Sequence, residues 1–240
     1  MDSPIEIKNL DKKVGVKKKK PINPRLPNLP FTWILIGPSG SGKSNFLLNI
    51  LDLYKKHFKK HHIILFSPSL GLDPKADEIE AEWKYDTFNP NIVEAVIDQQ
   101  KKIMKKDKKK VPEILFVLDD CISEQGAFNH KGIMENLFYR CRHFHCSLLI
   151  TSQKYSALSR GMRLNAKTVS FFRPYNESEK EHILKEHSDK YSKDKMNNML
   201  EAIWARPYHF AHFDYTKNDP NKRYQCCLHH FLDLNDFKTE

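Results

Sequence analysis

Short apolar runs alternate along this chain with longer stretches in which apolar residues recur at helical spacing. The runs are bounded by Gly, Pro, Ser or Asp, which is typical of buried β-strands. They predict strands at residues 31–36, 63–66, 114–118, 147–151, 168–172 and 208–213. The longer stretches predict helices at residues 45–57, 91–106, 134–142, 177–187 and 196–204, and residues 69–90 form a polar connection with weak helical character. Because buried strands joined by helices form parallel sheets, the pattern predicts an α/β fold in three layers, with helices on both faces of a mostly parallel central sheet.

The first 30 residues differ in composition from the rest of the chain. Lysine runs at 12–13 and 17–20 are followed by prolines at positions 21, 24, 27 and 30. Closely spaced prolines favour an extended connector over a helix. We therefore expect residues 1–30 to form a basic N-terminal arm, and residues 31–240 to form a single domain with a C-terminal helical and strand extension.

The charge balance points to a polyanionic partner. The 240 residues include 40 Lys+Arg and 30 Asp+Glu, a formal net charge of +10. Such an excess favours nucleic acid, although it is also compatible with lysines that are simply solvated, such as those of residues 105–110. The longest apolar runs are too short to span a bilayer and no N-terminal signal region is visible, so we expect an intracellular protein that is not secreted. The five cysteines lack a CxxC pair, which agrees with a reducing compartment.

A phosphate-binding loop is predicted between the first strand and the first helix, at residues 37–44. Gly37 and Gly42 allow backbone N–H groups to turn inward on a phosphate. Lys43 can reach the β- and γ-phosphates of ATP, and the Ser44 hydroxyl can bind Mg²⁺. The predicted nucleotide-binding residues are Gly37, Pro38, Ser39, Gly40, Ser41, Gly42, Lys43 and Ser44.

Two acids and a glutamine follow other predicted strands. Asp119 and Asp120 come directly after the strand at 114–118, so we expect Asp119 to bind Mg²⁺ and Asp120 to polarise the attacking water. Asp120 could instead cap the following turn. Gln153 closes the strand at 147–151, where its amide would sense the γ-phosphate or orient water.

Arginines near the glutamine strand are candidates for stabilising charge in the transition state. Arg140 and Arg142 precede this strand, and Arg160 and Arg163 follow it. Any of the four could act as a finger from a neighbouring subunit or could be a DNA or surface contact.

The segment 141–146 carries two cysteines and two histidines, but its spacing does not suit a metal site, since a helix end running into a strand does not bring four ligands together. We expect buried cysteines and ordinary histidines there. The same interpretation applies to His61, His62, His229 and His230.

With the loop at 37–44, the acids of residues 119–120 and Gln153 in this order, the chain resembles the poxvirus-type packaging ATPases of the FtsK/HerA P-loop superfamily. Further resemblance lies in Arg142-His143, Thr151-Ser152-Gln153 and the segment 163–173. It implies a RecA-like domain of the additional-strand class, in a ring-shaped homo-oligomer that uses ATP to translocate double-stranded viral DNA into a capsid.

The resemblance also implies residue roles and a location. Lys43 and Ser44 would bind nucleotide and Mg²⁺, Asp119 the magnesium, Asp120 would be the catalytic acid, Gln153 the polar sensor and Arg142 the finger between subunits. The protein would contact capsid proteins and act in the host cytoplasm, a viral factory or the virion. Relatives in the wider superfamily often carry glutamate at the position of Asp120.

Two other functions use the same loop. A small-molecule P-loop kinase would need an acceptor pocket and a lid, for which the arginines at 160 and 163 are candidates. A nucleotide-gated DNA-binding protein would bind ATP without turning it over, so that Asp120→Asn would leave its function intact.

Overall fold

The computed structural model describes residues 22–121, 137–188 and 191–237. In these ranges, nine strands form one sheet: β1 Thr32–Ile36, β2 Ile63–Phe66, β3 Trp83–Tyr85, β4 Ile114–Leu118, β5 Cys146–Ser152, β6 Thr168–Phe172, β7 Phe210–Asp214, β8 Tyr224–Cys226 and β9 His230–Phe231. The α-helices are α1 Lys43–Tyr54, α2 Pro74–Asp77, α3 Pro90–Lys106, α4 Arg160–Asn165, α5 Glu177–His187 and α6 Lys193–Trp204, and residues 137–140 are also helical. None of the described helices combines the length and apolar character needed to cross a membrane.

The sheet order is β3-β2-β4-β5-β1-β6-β7-β8-β9. The pairs from β3 to β6 are parallel, and β7, β8 and β9 are antiparallel. Strand β5 therefore lies between β1, which precedes the phosphate loop, and β4, which precedes the two acids. This is the additional-strand arrangement, and the predicted fold class is confirmed.

Both faces of the parallel strands β1, β2, β4, β5 and β6 are buried. On β1, Trp33 and Leu35 face a cluster that contains Phe46 and Ile50 of α1, while the alternate residues of the strand face the second cluster. That second cluster includes Val93 of α3 and residues of α5 and α6. Successive side chains of β1 point to opposite faces of the sheet. The apolar run therefore packs against the helices of both layers.

Several predicted boundaries differ from the observed ones. The connection at 69–90 contains α2 and the edge strand β3, which an apolar pattern cannot indicate because Trp83 and Lys84 are exposed. The antiparallel part continues beyond residue 213 into β8 and β9. The predicted helix at 134–142 lies partly outside the described residues, and Cys141–Phe144 form a 3₁₀ turn.

The described part of the predicted arm packs on the domain. Leu26 is buried, its carbonyl accepts a hydrogen bond from Lys217 Nζ at 3.0 Å, and Pro27 O accepts one from the Tyr54 hydroxyl at 2.6 Å. Residues 1–21, with the lysine runs, lie outside the described residues. The division of the chain at residue 30 stays a prediction.

Candidate nucleotide site

The loop between β1 and α1 needs glycine at specific positions. Gly40 and Gly42 have φ of 75° and 104°, in the left-handed region that side chains disfavour. At Gly37 the constraint is space, because a Cβ would lie 2.6 Å from Phe172 Cβ and 2.7 Å from Ser41 Oγ. These glycines let the loop pack against β6 and lead directly into the N-terminus of α1. There the free N–H groups and the helix dipole favour an anion.

Lys43 lies inside this loop and is 6% exposed. Its ammonium donates to Gly37 O at 2.5 Å and to Pro38 O at 3.0 Å. Burial lowers the Lys43 pKa, and the charges of Asp120 and Asp119 oppose this shift. The predicted phosphate ligand therefore faces both predicted acids. Ser44 follows in the first turn of α1 and is half-buried.

Asp119 is held by the ends of two neighbouring strands. Its Oδ1 accepts a hydrogen bond from Thr151 Oγ1 at 2.7 Å, and its Oδ2 accepts one from Ser67 Oγ at 3.0 Å. Burial raises the Asp119 pKa, while the two hydroxyl donors favour the carboxylate. Both donors were missed by sequence reasoning, since their bonds cross between strands. Polar residues at the ends of apolar strands are the sequence signal that could have indicated these two donors.

Asp120 and Gln153 meet beside this carboxylate. Asp120 has φ of 48°, its N–H donates to Thr151 Oγ1 at 2.9 Å, and Gln153 Nε2 donates to its Oδ2 at 3.3 Å. The fold thus brings Lys43, both acids and Gln153 to the carboxyl ends of β1, β4 and β5. Carboxylate and hydroxyl oxygens are hard ligands that suit Mg²⁺, so Asp119 and Ser44 fit the predicted metal.

The arginines proposed from the sequence are not gathered at this edge. Arg142 is exposed in the turn before β5, and the seven residues of this strand put about 20 Å between its two ends. Arg140 is exposed in the same region, and Arg160 is exposed at the start of α4. Arg163 is only 12% exposed and pairs with Glu186 at 2.7 Å, so its guanidinium is already engaged within the fold.

A cavity of about 430 Å³ opens beside the phosphate loop. Its far wall includes two Arg-Pro-Tyr tripeptides, residues 173–175 after β6 and residues 206–208 before β7. Tyr175 is 83% exposed and its hydroxyl donates to Ser39 O at 2.9 Å. Tyr208 is 73% exposed, and its Cδ1 lies 3.5 Å from where a Gly42 Cβ would be. Sequence reasoning missed this wall, although the repeated tripeptide was a visible signal.

Comparison with known proteins gives relatives among large DNA viruses. An uncharacterized protein of Frog virus 3 (isolate Goorha) is 26% identical over 196 residues, covering 78% of this chain and 58% of the relative. A DNA packaging protein of Variola virus is 26% identical over 194 residues, covering 78% of this chain and 69% of the relative. The chain thus spans less than two thirds of the Frog virus 3 protein.

Solved structures agree with the fold. The genome packaging NTPase of Sulfolobus turreted icosahedral virus 2, solved in complex with AMP, has a TM-score of 0.61 and 16% identity, and covers 83% of this chain and 98% of its own. The conjugation coupling protein TcpA of plasmid pCW3 has a TM-score of 0.55 and 14% identity, covering 77% of this chain and 57% of its own.

The family described as Poxvirus A32 protein matches residues 19–209, which include the phosphate loop, both acids, Gln153 and both Arg-Pro-Tyr tripeptides. The match confirms the resemblance drawn from the sequence. The chain belongs to the Poxvirus A32 protein family.

Proposed function

We propose that this chain is an ATP-hydrolysing motor that translocates double-stranded DNA during viral genome packaging. The observation that carries the proposal is the convergence of Lys43, Asp119, Asp120 and Gln153 at one edge of the sheet. The name of the Variola virus relative, a DNA packaging protein, supports the DNA substrate. The net charge of +10 supports it as well.

Each residue of this edge has a role in hydrolysis. The loop N–H groups and Lys43 bind the β- and γ-phosphates, and Asp119 with Ser44 would hold Mg²⁺, which neutralises charge between these phosphates. Asp120 accepts a proton from the attacking water, and the Gln153 amide fixes the orientation of its carboxylate. Thr151 supports both acids, as donor to Asp119 and acceptor for the Asp120 N–H.

The cavity beside the loop is suited to the nucleoside. Its wall supplies two exposed tyrosine rings, on which a base can stack, and two arginines that offer donors and positive charge. A nucleotide with its phosphates on the loop would extend into this cavity. We therefore place the base and ribose between the loop and the two Arg-Pro-Tyr tripeptides.

The motor would be a ring in which Arg142 reaches the site of the next subunit. The distance between Arg142 and the Gln153 end of β5 excludes action on the site of its own chain without a large rearrangement. Capsid proteins would be further partners, at a viral factory or in the virion. Lys105 and its neighbours to residue 110 are exposed or half-buried and are candidates for DNA contacts.

Phosphate release by the full chain, with and without duplex DNA at modest salt, tests the motor. We expect duplex DNA to raise turnover, and Lys43→Ala to abolish both the basal and the stimulated rates. Lys55→Ala is a matched control, because Lys55 ends the same helix and is 66% exposed. Equal turnover with and without duplex DNA would remove the support for translocation, and normal turnover of Lys43→Ala would remove the assigned site.

A mixing experiment tests the finger in trans. Subunits with Arg142→Ala and subunits with Asp120→Asn should each be inactive alone. Mixed, they should recover turnover, because some interfaces join an intact Asp120 to an intact Arg142. Arg140→Ala, a neighbouring exposed arginine, should be active without mixing. No recovery on mixing, in rings verified by electron microscopy, would assign Arg142 to another role.

A further inference from the structure

Three potential metal ligands meet at the end of β8, outside the residues used for hydrolysis. They are His209, which precedes β7, and the adjacent Cys226 and Cys227. Their ligand atoms all lie within 4.8 Å of one another. The strands β7 and β8 pair in antiparallel register, Ala211 opposite Cys226, and this brings together residues that are 17 positions apart.

The two distances measured from Cys226 Sγ fit a tetrahedral zinc site. Cys226 Sγ lies 3.8 Å from Cys227 Sγ and 3.7 Å from His209 Nδ1. Two thiolates and an imidazole at ordinary zinc bond lengths and tetrahedral angles are separated by about 3.8 Å between the sulfurs and about 3.6 Å between sulfur and nitrogen. Sulfur and imidazole ligands together favour zinc over the oxygen-seeking Mg²⁺ of the hydrolytic site.

The surroundings also suit thiolate ligands. Cys226 is 7% exposed and Cys227 is half-buried, while the Phe210 N–H lies 3.4 Å from Cys227 Sγ and donates to it. Cys227 and Leu228 both have positive φ and lie in a tight turn, and the Cys227 sulfur contacts the Cys226 sulfur.

We propose that His209, Cys226 and Cys227 bind one Zn²⁺ ion, with a water molecule as fourth ligand. The ion joins the β7–β8 hairpin to the segment that carries Tyr208, directly beside the nucleotide cavity that His209 lines. The ion fixes this part of the cavity wall. The proposal does not depend on ATP hydrolysis.

The test is the zinc content of the full chain, purified under reducing conditions without chelators and measured by mass spectrometry of the metal. We expect about one zinc per chain, and loss of most of it in His209→Ala, Cys226→Ser and Cys227→Ser. Cys141→Ser and His229→Ala are matched controls that should keep the metal. Cys141 is a buried thiol outside the cluster, and His229 is an exposed histidine near it.

A second measurement protects the test against variants that fail to fold. Removing zinc from the unmodified chain and adding Co²⁺ should produce a thiolate-to-cobalt charge-transfer band, which Zn²⁺ then displaces. A chain that carries no zinc and gives no cobalt band overturns the proposal. An intact mass lower by two hydrogens, with a peptide map that places a Cys226–Cys227 disulfide, also overturns it.

Discussion

The parallel and antiparallel strands of the sheet contribute differently to the candidate site. At the ends of β1, β4 and β5, short motifs supply a lysine, two acids and a glutamine. The two acids accept hydrogen bonds from Thr151 and Gln153 of the neighbouring strand end. The segment before β7 and the end of β8 supply aromatic rings, an imidazole and thiols that line or flank the cavity. In the proposed function, hydrolysis takes place in the parallel part and the nucleoside binds in the antiparallel part. Substitutions in the two parts should therefore affect kcat and KM differently.

The largest effect should follow Asp120→Asn in the parallel part. Asparagine keeps the shape and can still contact Gln153, but it cannot accept the proton of the attacking water. General-base catalysis contributes about 10²- to 10⁴-fold, so turnover should fall by about 10³-fold while nucleotide affinity stays nearly unchanged. Phosphate release and equilibrium binding of a fluorescent nucleotide measure the two quantities.

Asp86→Asn provides the matched control for this substitution. Asp86 is an exposed acid that follows the edge strand β3, away from the phosphate loop. Its loss should leave turnover unchanged. If Asp120→Asn hydrolysed ATP normally, Asp120 would be a cap of the turn, and the chemistry would have to be assigned to another residue.

Acid should lower the stability of the fold where the antiparallel strand β7 pairs with β6. His212 of β7 is fully buried beside Ser170 of β6, and burial lowers the pKa of His212 to about 4, with Asp214 opposing and Lys217 adding to the shift. Burial also lowers the pKa of His187 to about 4. Both are neutral in the folded chain and protonated in the unfolded chain between pH 6.5 and about 4. The free energy of unfolding is therefore highest above pH 6.5. It falls as the pH decreases through this window, by on the order of 3 kcal/mol for each histidine.

Urea unfolding at a series of pH values measures this loss. His212→Gln should reduce the slope of the unfolding free energy against pH by about one proton in this window. His143→Ala is the control for the loss of an exposed histidine. An unchanged slope in His212→Gln would show that His212 is not the group that titrates.

Loss of a threonine hydroxyl should lower turnover only at the carboxyl ends of the parallel strands, where the hydroxyl holds Asp119. Thr151→Val removes the donor to Asp119 and the acceptor for the Asp120 N–H, so we expect a 10- to 100-fold loss of turnover with a raised Mg²⁺ requirement, about the cost of losing an outer-shell partner. Thr168→Val is the same change at the amino end of β6, where the hydroxyl is buried and has no partner among the described residues. It should leave turnover unchanged, and equal effects of the two variants would contradict the assigned support of Asp119.

The sequence was sufficient for the buried parallel strands β1, β2, β4, β5 and β6 because their signals are local. An apolar run followed by Gly, Asp or Gln places these residues at strand ends, and parallel strands bring their carboxyl ends to one edge. The family resemblance followed from the same residues. Contacts across strands were not accessible: Thr151 and Ser67 bind an acid that lies 32 and 52 positions away.

The antiparallel part was predicted least well, for a different reason. Strand β8 is only three residues long and β9 only two, too short for a recognisable pattern. Cys226 and Cys227 lack a usual metal spacing, and their approach to His209 depends on the pairing of β7 with β8.

Arg163 shows the same limit of the sequence. Its partner Glu186 lies 23 positions away, and the two form an internal ion pair in place of the predicted finger.

The smallest effect should come from the wall of the cavity. Tyr208 has φ of 61°, a value that glycine adopts without strain, so Tyr208→Gly should leave the fold intact while removing the exposed ring. Stacking of a base on an aromatic ring contributes about 1–3 kcal/mol, so we expect the KM for ATP to rise by about 10-fold with little change in kcat. His145→Gly is the matched control, because His145 has φ of 56° but lies before β5, at the opposite edge of the sheet. Steady-state kinetics of the two variants measure both constants. An unchanged KM in Tyr208→Gly would place the base elsewhere. A fall in kcat alone would mean that the wall takes part in the chemistry and that the two parts of the sheet are not separable.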